Sequence, residues 1–146
     1  GAAALVLASE EEAVKRGHRP IARVVGYAEA GVQPEHFPVA PIQAVQKLLK
    51  LAGLTVSDID LFEINEAFSS VSLCIMRELN LDSARCNVHG GAVALGHPIG
   101  ATGARMLTTL LYALKARSGR LGLVSACIGG GEAIAILVER MAPAGS

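Results

Sequence analysis

The chain predicts an α/β fold, a mixed and mostly parallel sheet with helices on both faces. Three observations carry this. Short runs of aliphatic and β-branched residues alternate with stretches whose apolar residues recur at i, i+3, i+4 and i+7. Apolar residues make up 51% of the chain and aromatics only 3%, so the core is one of Ala, Val, Leu and Ile, which suits closely packed layers. The last two apolar runs are separated only by Ile128–Gly131, too short for a crossover helix. They should pair antiparallel, while the earlier alternation implies right-handed parallel crossovers.

Ala2–Ala8 reads as a buried strand. Ser9 with Glu12 forms a capping-box pattern, so a short helix follows over Glu10–Arg16, stopped by Gly17. Pro20 opens a strand, Ile21–Ala28, and the proline-rich Gly31–Pro41 has no periodicity and reads as a loop. Val45, Leu48, Leu49 and Ala52 mark a helix ending at Gly53, and Leu61–Ile64 is a short strand. Ala67, Val71, Cys74 and Ile75 form the inner stripe of a helix that ends near Asn80, and Cys86–Val88 is one more short strand. After the glycine-rich His89–Gly100 comes a helix over Ala101–Ala116. Its first half carries no charge except Arg105, so protein should wrap most of its sides. Leu121–Cys127 and Ala133–Glu139 are the closing pair of strands.

The length of 146 residues fits one domain with a real core. The 13 basic and 13 acidic residues balance, and without a basic stripe nucleic acid is excluded as a partner. No apolar run approaches the roughly 18 residues a membrane helix needs, and Ala2–Ala8 lacks the basic start of a signal peptide. Cys74, Cys86 and Cys127 form no CxxC pair, which argues against a disulfide framework or metal site and fits a bacterial cytoplasm or, second, a mitochondrial matrix. The start without Met, inside an apolar run, suggests a fragment or processed chain.

Three islands carry reactive or hydrogen-bonding side chains, two of them beside glycines. Cys127 closes a buried strand and enters Ile128-Gly129-Gly130-Gly131. A lone Cys is commonly just a small buried hydrophobe. Three glycines, however, let a substrate approach the backbone and expose N–H groups to an oxyanion. His97, between Gly96 and Pro98, is presented by a stiff loop as a general base or hydrogen-bond donor, or is simply a satisfied loop histidine. Asn65 follows a strand and precedes a helix, so it reads either as an N-cap or as an amide aimed at a water or carbonyl. Glu66 favours a helix dipole, and His89 is a weaker candidate beside a strand end. The glycines spell neither a dinucleotide fingerprint nor a phosphate loop.

At these residues the chain resembles the carboxy-terminal part of a thiolase, of the acetyl-CoA acetyltransferase or 3-ketoacyl-CoA thiolase type. The matching stretches are Asn65-Glu66-Ala67-Phe68, Asn87 through Gly100, and Cys127 through Gly131, with Gly1-Ala2-Ala3-Ala4 and Asp58-Ile59-Asp60 also similar. The resemblance implies a βαβαβαββ half of a duplicated core: residues 1–19 as the last strand and helix of the amino-terminal half, 20–146 as the carboxy-terminal domain, and the Ala101 helix as its buried centre. It implies that His97 activates a nucleophilic cysteine and lines an oxyanion hole whose water Asn65 holds. Cys127 would move the proton at the carbon α to the thioester, with a lowered pKa, and the Gly129 N–H would serve a second oxyanion hole.

The substrate implied is a coenzyme A thioester, with no covalently bound cofactor and no metal, in Claisen condensation or thiolytic cleavage. The family's nucleophilic cysteine belongs to the amino-terminal half and matches none of these three cysteines, so the chain alone should be inactive. The implied partners are that amino-terminal half and, for the complete enzyme, further copies in a dimer or tetramer. Two alternatives stand beside it. One is a non-catalytic thiolase-like domain for assembly or acyl-CoA binding. The other is a ketoacyl-synthase type, against which the Cys127 turn argues.

Overall fold

The structure, a computed structural model, describes residues 1–141; the last five residues of the domain expected over 20–146 lie outside them. Helix α1 (Glu10–Lys15) forms as its cap predicts, with Ser9 Oγ accepting from the Glu12 N–H at 3.1 Å. Strand β1 (Ala22–Gly31) leads through a 3-10 turn (Pro34–Val39) into α2 (Ala40–Ala52), then β2 (Leu61–Ile64) and α3 (Ser69–Glu78). A short α4 (Ala92–Leu95) and the longer α5 (Thr102–Ala116) precede the hairpin of β3 (Leu121–Cys127) and β4 (Glu132–Arg140).

The sheet order is β1-β4-β3-β2. β4 is antiparallel to both β1 and β3, and β2 is parallel to β3. β1, β2 and β3 therefore run in one direction and only β4 is reversed: the sheet is mixed, as expected, and because β4 lies inside it two of the three pairings are antiparallel. The Cys86–Val88 strand shrinks to one parallel bridge, Cys86 to Phe62.

Helices cover both faces. On one, α2 and α3 bury Val45, Leu48, Val71 and Ile75 against Phe62, Ile64, Leu123 and Leu137. On the other, α5 buries Met106, Leu110 and Leu114 against Leu61, Val124 and Val138. The register of the parallel pair is set at its start. Asp60 Oδ2 accepts from the N–H groups of Arg120 (2.7 Å) and Leu121 (2.8 Å), and the Asp60 N–H donates to Leu121 O. That clamp places Leu61 opposite Gly122.

Four expectations change. Ala2–Ala8 is exposed and unpaired, with Val6 97% accessible, because a strand needs an edge to join and none in the described chain meets it. The segment 31–41 is not a plain loop: it holds the 3-10 turn, and α2 already begins at Ala40. Cys74 is exposed, since α3 buries Val71, Ser72 and Ile75 and turns its other flank outward. The 101–116 helix is buried on its sheet side and half-buried over most of its first half, but Gly103 and, further on, Tyr112 are exposed.

Gly122 lets α5 lie close to β3. A Cβ there would fall 2.8–2.9 Å from three carbons of Leu110, which is 1% exposed and has no room to retreat. Gly122→Ala should lower the unfolding free energy by about 1–2 kcal/mol, overpacking outweighing the entropy gained by losing a glycine. Urea titration of the two forms checks this.

Candidate active site

The site lies at the carboxyl ends of β2 and β3. Side chains along β2 alternate, so Phe62 and Ile64 face α2 and α3 while Leu61 faces α5. Asn65, one residue past the strand, continues the α5 side and is 1% exposed. Its N–H donates to Ser125 O at 2.9 Å, which extends the parallel ladder one step.

His97 meets Asn65 from the loop before α5. Its Nε2 lies 3.4 Å from Asn65 Nδ2, longer than the usual range of about 2.7–3.2 Å. Its Nδ1 lies 2.7 Å from Thr102 Oγ1, and the same hydroxyl donates to Pro98 O at 3.1 Å. A hydroxyl has one hydrogen. Thr102 gives it to Pro98, so its oxygen accepts from His97 Nδ1–H. In the neutral ring that leaves a lone pair on Nε2, aimed at the Asn65 amide, the tautomer a general base at this end requires.

The loop carrying His97 is fixed by two residues that sequence reasoning gave no such part. The Asn87 side chain pairs with both backbone groups of Ile64: Oδ1 accepts its N–H at 2.9 Å and Nδ2 donates to its carbonyl at 3.0 Å. An amide thus does what a neighbouring strand would do, and Asn87 takes φ +46, which Asn tolerates better than most residues. Glu66 accepts from Asn87 Nδ2 at 3.2 Å and from the Val93 N–H at 2.9 Å, tying the chain after β2 to α4. A Cβ at Gly91 would sit on the Glu66 carboxylate and push it off these two bonds.

Cys127 ends β3, beside the end of β2. It packs against the α2 and α3 core and, among the described residues, hydrogen-bonds to neither Asn65 nor His97. Burial pushes its thiol up, opposite to the lowered pKa expected. The glycines after it differ in kind. At Gly131 (φ +102) a Cβ would strike Val32 O, so this glycine is structural. A Cβ at Gly129 would meet nothing within 4 Å, so the Gly129 backbone borders open space.

The structure thus joins Asn65 and His97 directly and sets Cys127 and Gly129 on the adjoining strand end. His89 takes no part in their hydrogen bonds. Thr102, Asn87 and the second function of Glu66 were missed. Thr102 had a signal, a hydroxyl five residues after His97 across a proline turn. Among the described residues no group of three or more His, Cys, Asp and Glu is placed to hold a metal.

Residues 18–140 match the family described as thiolase, C-terminal domain. The acetyl-CoA acetyltransferase of Escherichia coli (strain K12) is 52% identical over 97% of this chain and 36% of its own length. The cytosolic acetyl-CoA acetyltransferase of Mus musculus is 48% identical over 96% of the chain and 35% of its own length. Among solved structures, human mitochondrial 3-ketoacyl-CoA thiolase matches with a TM-score of 0.89 at 43% identity, over 92% of this chain and 34% of that one. The Acat5 thiolase from Ascaris suum, in complex with coenzyme A, matches with 0.88 at 54% identity, over 92% and 35%. The chain spans about a third of the length of the relatives it matches.

Nitrogen-15 NMR of His97 should show the Nδ1–H tautomer, and Thr102→Val should give a mixture of tautomers. The three thiols should alkylate with iodoacetamide at about pH 8 in the order Cys74, Cys127, Cys86. Cys74 is exposed; burial raises the Cys127 pKa, so less thiolate is present; and Cys86, pushed up to about 11, has the least. Peptide mass spectrometry over a time course reads the order.

Proposed function

This chain belongs to the thiolase family, as its C-terminal domain, and we propose that it supplies one half of an acyl-transfer site for 3-ketoacyl-CoA thioesters of the acetoacetyl-CoA type. The reaction is Claisen condensation or its reverse, thiolytic cleavage. The observation that supports this best is the Asn65–His97–Thr102 chain, a buried amide and a tautomer-fixed imidazole at one strand end.

In thiolysis, a cysteine thiolate attacks the 3-keto carbon. His97 Nε2 takes the thiol proton first, then hydrogen-bonds in the oxyanion hole. The bond between C2 and C3 breaks, its electrons pass to the acetyl-CoA enolate, and Cys127 delivers a proton to C2. The acyl group remains on the nucleophile, its carbonyl oxygen facing the Gly129 N–H, until the sulfur of coenzyme A, its proton passed to the Cys127 thiolate, displaces the nucleophile, which regains a proton from His97. Condensation runs the same steps backward, with the Cys127 thiolate removing the α-proton. Asn65 holds a water that donates to the enolate oxygen.

The nucleophile comes from an amino-terminal thiolase part. Cys74 lies on the outer flank of α3, and the high pKa of Cys86 makes it a poor nucleophile. Thus the chain by itself turns nothing over, and the complete enzyme assembles as a dimer or tetramer. A reducing compartment, a bacterial cytoplasm or a mitochondrial matrix, suits three unpaired thiols. Among the described residues no helix is long and apolar enough to cross a membrane.

The test combines the chain with an amino-terminal thiolase part and follows acetoacetyl-CoA cleavage. Asn65→Ala should lower kcat by roughly 10²–10³, the usual cost of one oxyanion donor. Cys127→Ala should abolish exchange of the α-protons with solvent while the nucleophile still becomes acylated. Steady turnover by the lone chain, or wild-type exchange in the Cys127 variant, refutes the assignment.

A further inference from the structure

The alternation that carries Asn65 to the α5 side of the sheet also carries Glu63 there, two residues and thus about 6.6 Å back along β2. The Glu63 side chain is 1% exposed, and neither carboxylate oxygen has a hydrogen-bond partner. Facing it is Arg105, one turn of α5 beyond Thr102. Its Nη1 is 4.0 Å from Glu63 Oε2, its side chain is 17% exposed, and none of its three nitrogens is hydrogen-bonded. The strand and helix thus share two polar rungs in succession, Glu63 with Arg105 and Asn65 with the His97–Thr102 pair.

Adhesion does not call for these charges. Leu61, Met106, Leu110 and Leu114 already pack β2 against α5. Burying an ion pair costs desolvation that an apolar pair of similar size avoids. Apolar contact is also indifferent to small sliding, whereas opposite charges in a low-dielectric layer pull toward one setting. The contact one rung further on is long at 3.4 Å, so a small shift of β2 along α5 breaks it.

The geometry points to Glu63 and Arg105 as positioning residues: their ion pair sets β2 against α5 and thereby holds the Asn65 amide against His97. The roles of Asn65 and His97 rest on the thiolase reading above; the spatial claim does not.

The pair carries a pH signature. The charged and titratable groups around Glu63 are Arg105 on α5, Glu66 beyond β2, and Cys86 on the bridging segment. Burial pushes the Glu63 carboxyl up to about 7, with Arg105 opposing the rise and Glu66 adding to it. The pair is therefore ionised above about 7 and faces a neutral carboxyl below. An unfolded Glu63 releases its proton near 4.5, so between 4.5 and about 7 the folded chain binds more protons and stability falls as pH rises.

The experiment uses the chain combined with an amino-terminal thiolase part, carrying Glu63→Gln or Glu63→Gln/Arg105→Met. Readouts are kcat and KM for acetoacetyl-CoA across pH, urea midpoints, and the NMR cross-peak between the Asn65 amide protons and the His97 ring. Glu63→Gln should lower kcat roughly tenfold with KM within about twofold, a misplacement rather than a binding loss. It should also erase the rise of kcat through about pH 7 and the fall in stability between 4.5 and about 7. The Asn65–His97 cross-peak should weaken while the His97–Thr102 tautomer persists.

The double variant separates positioning from mere structure. With both charges gone the urea midpoint should recover, but turnover and the cross-peak should not. Recovery of all three together overturns the proposal. So does an unchanged cross-peak in either variant, including the double one if Glu63→Gln alone fails to fold. If the wild-type assembly shows no thiolysis, the functional reading fails instead, and the cross-peak and stability arms still decide the pair.

Discussion

The site depends on how one short strand ends. β2 has four residues, too few to hold its own last turn in place, and the whole polar centre hangs from the residue that follows it. Three bonds fix that end. Ser125 receives the Asn65 N–H, and the Asn87 amide occupies both backbone groups of Ile64 from the other side. A buried backbone group left unpaired costs about 1–3 kcal/mol, so Asn87 prevents two such losses with one side chain. It also turns the chain, at φ +46, into the loop that delivers His97. Fold and chemistry share the same bonds here. The residues that finish the sheet are the ones that aim the imidazole.

Much of this was legible in the residues themselves. The hairpin, α2 with its Gly53 stop, and the strand Leu61–Ile64 followed from local rules of period and turn length, which need no knowledge of neighbours. His97 stood out because glycine and proline flank it, and Asn65 because it sits between a strand and a helix. What failed needed tertiary knowledge. An apolar run such as Ala2–Ala8 says that it wants cover, not what covers it. Cys74 was placed inside because it sits three residues from Val71. Successive helical residues turn about 100°, and the buried set Val71, Ser72, Ile75 and Leu79 centres the stripe on the opposite flank. Asn87 and Thr102 were passed over for a different reason. Each acts through an orientation, and sequence spacing reports nearness far better than which hydrogen points where.

On the reading proposed above, His97 and Cys127 act in turn, and the chain prepares them in opposite ways. His97 is given a direction: its Nδ1–H donates to Thr102 Oγ1, so Nε2 is the basic atom before any substrate arrives. Cys127 is given a state: burial keeps it a thiol. Under that proposal, a base that acts first and an acid that acts second need just these settings in the thiolytic direction, in which C–C cleavage calls for the second proton. In condensation Cys127 must begin as a thiolate, and its surroundings in this chain oppose that. Something that approaches with the substrate or the amino-terminal part must then favour the charged sulfur, by donating hydrogen bonds to it. Under the proposed mechanism, the raised Cys127 pKa suits the step in which it gives up a proton, and the step in which it takes one falls to the assembled site to assist.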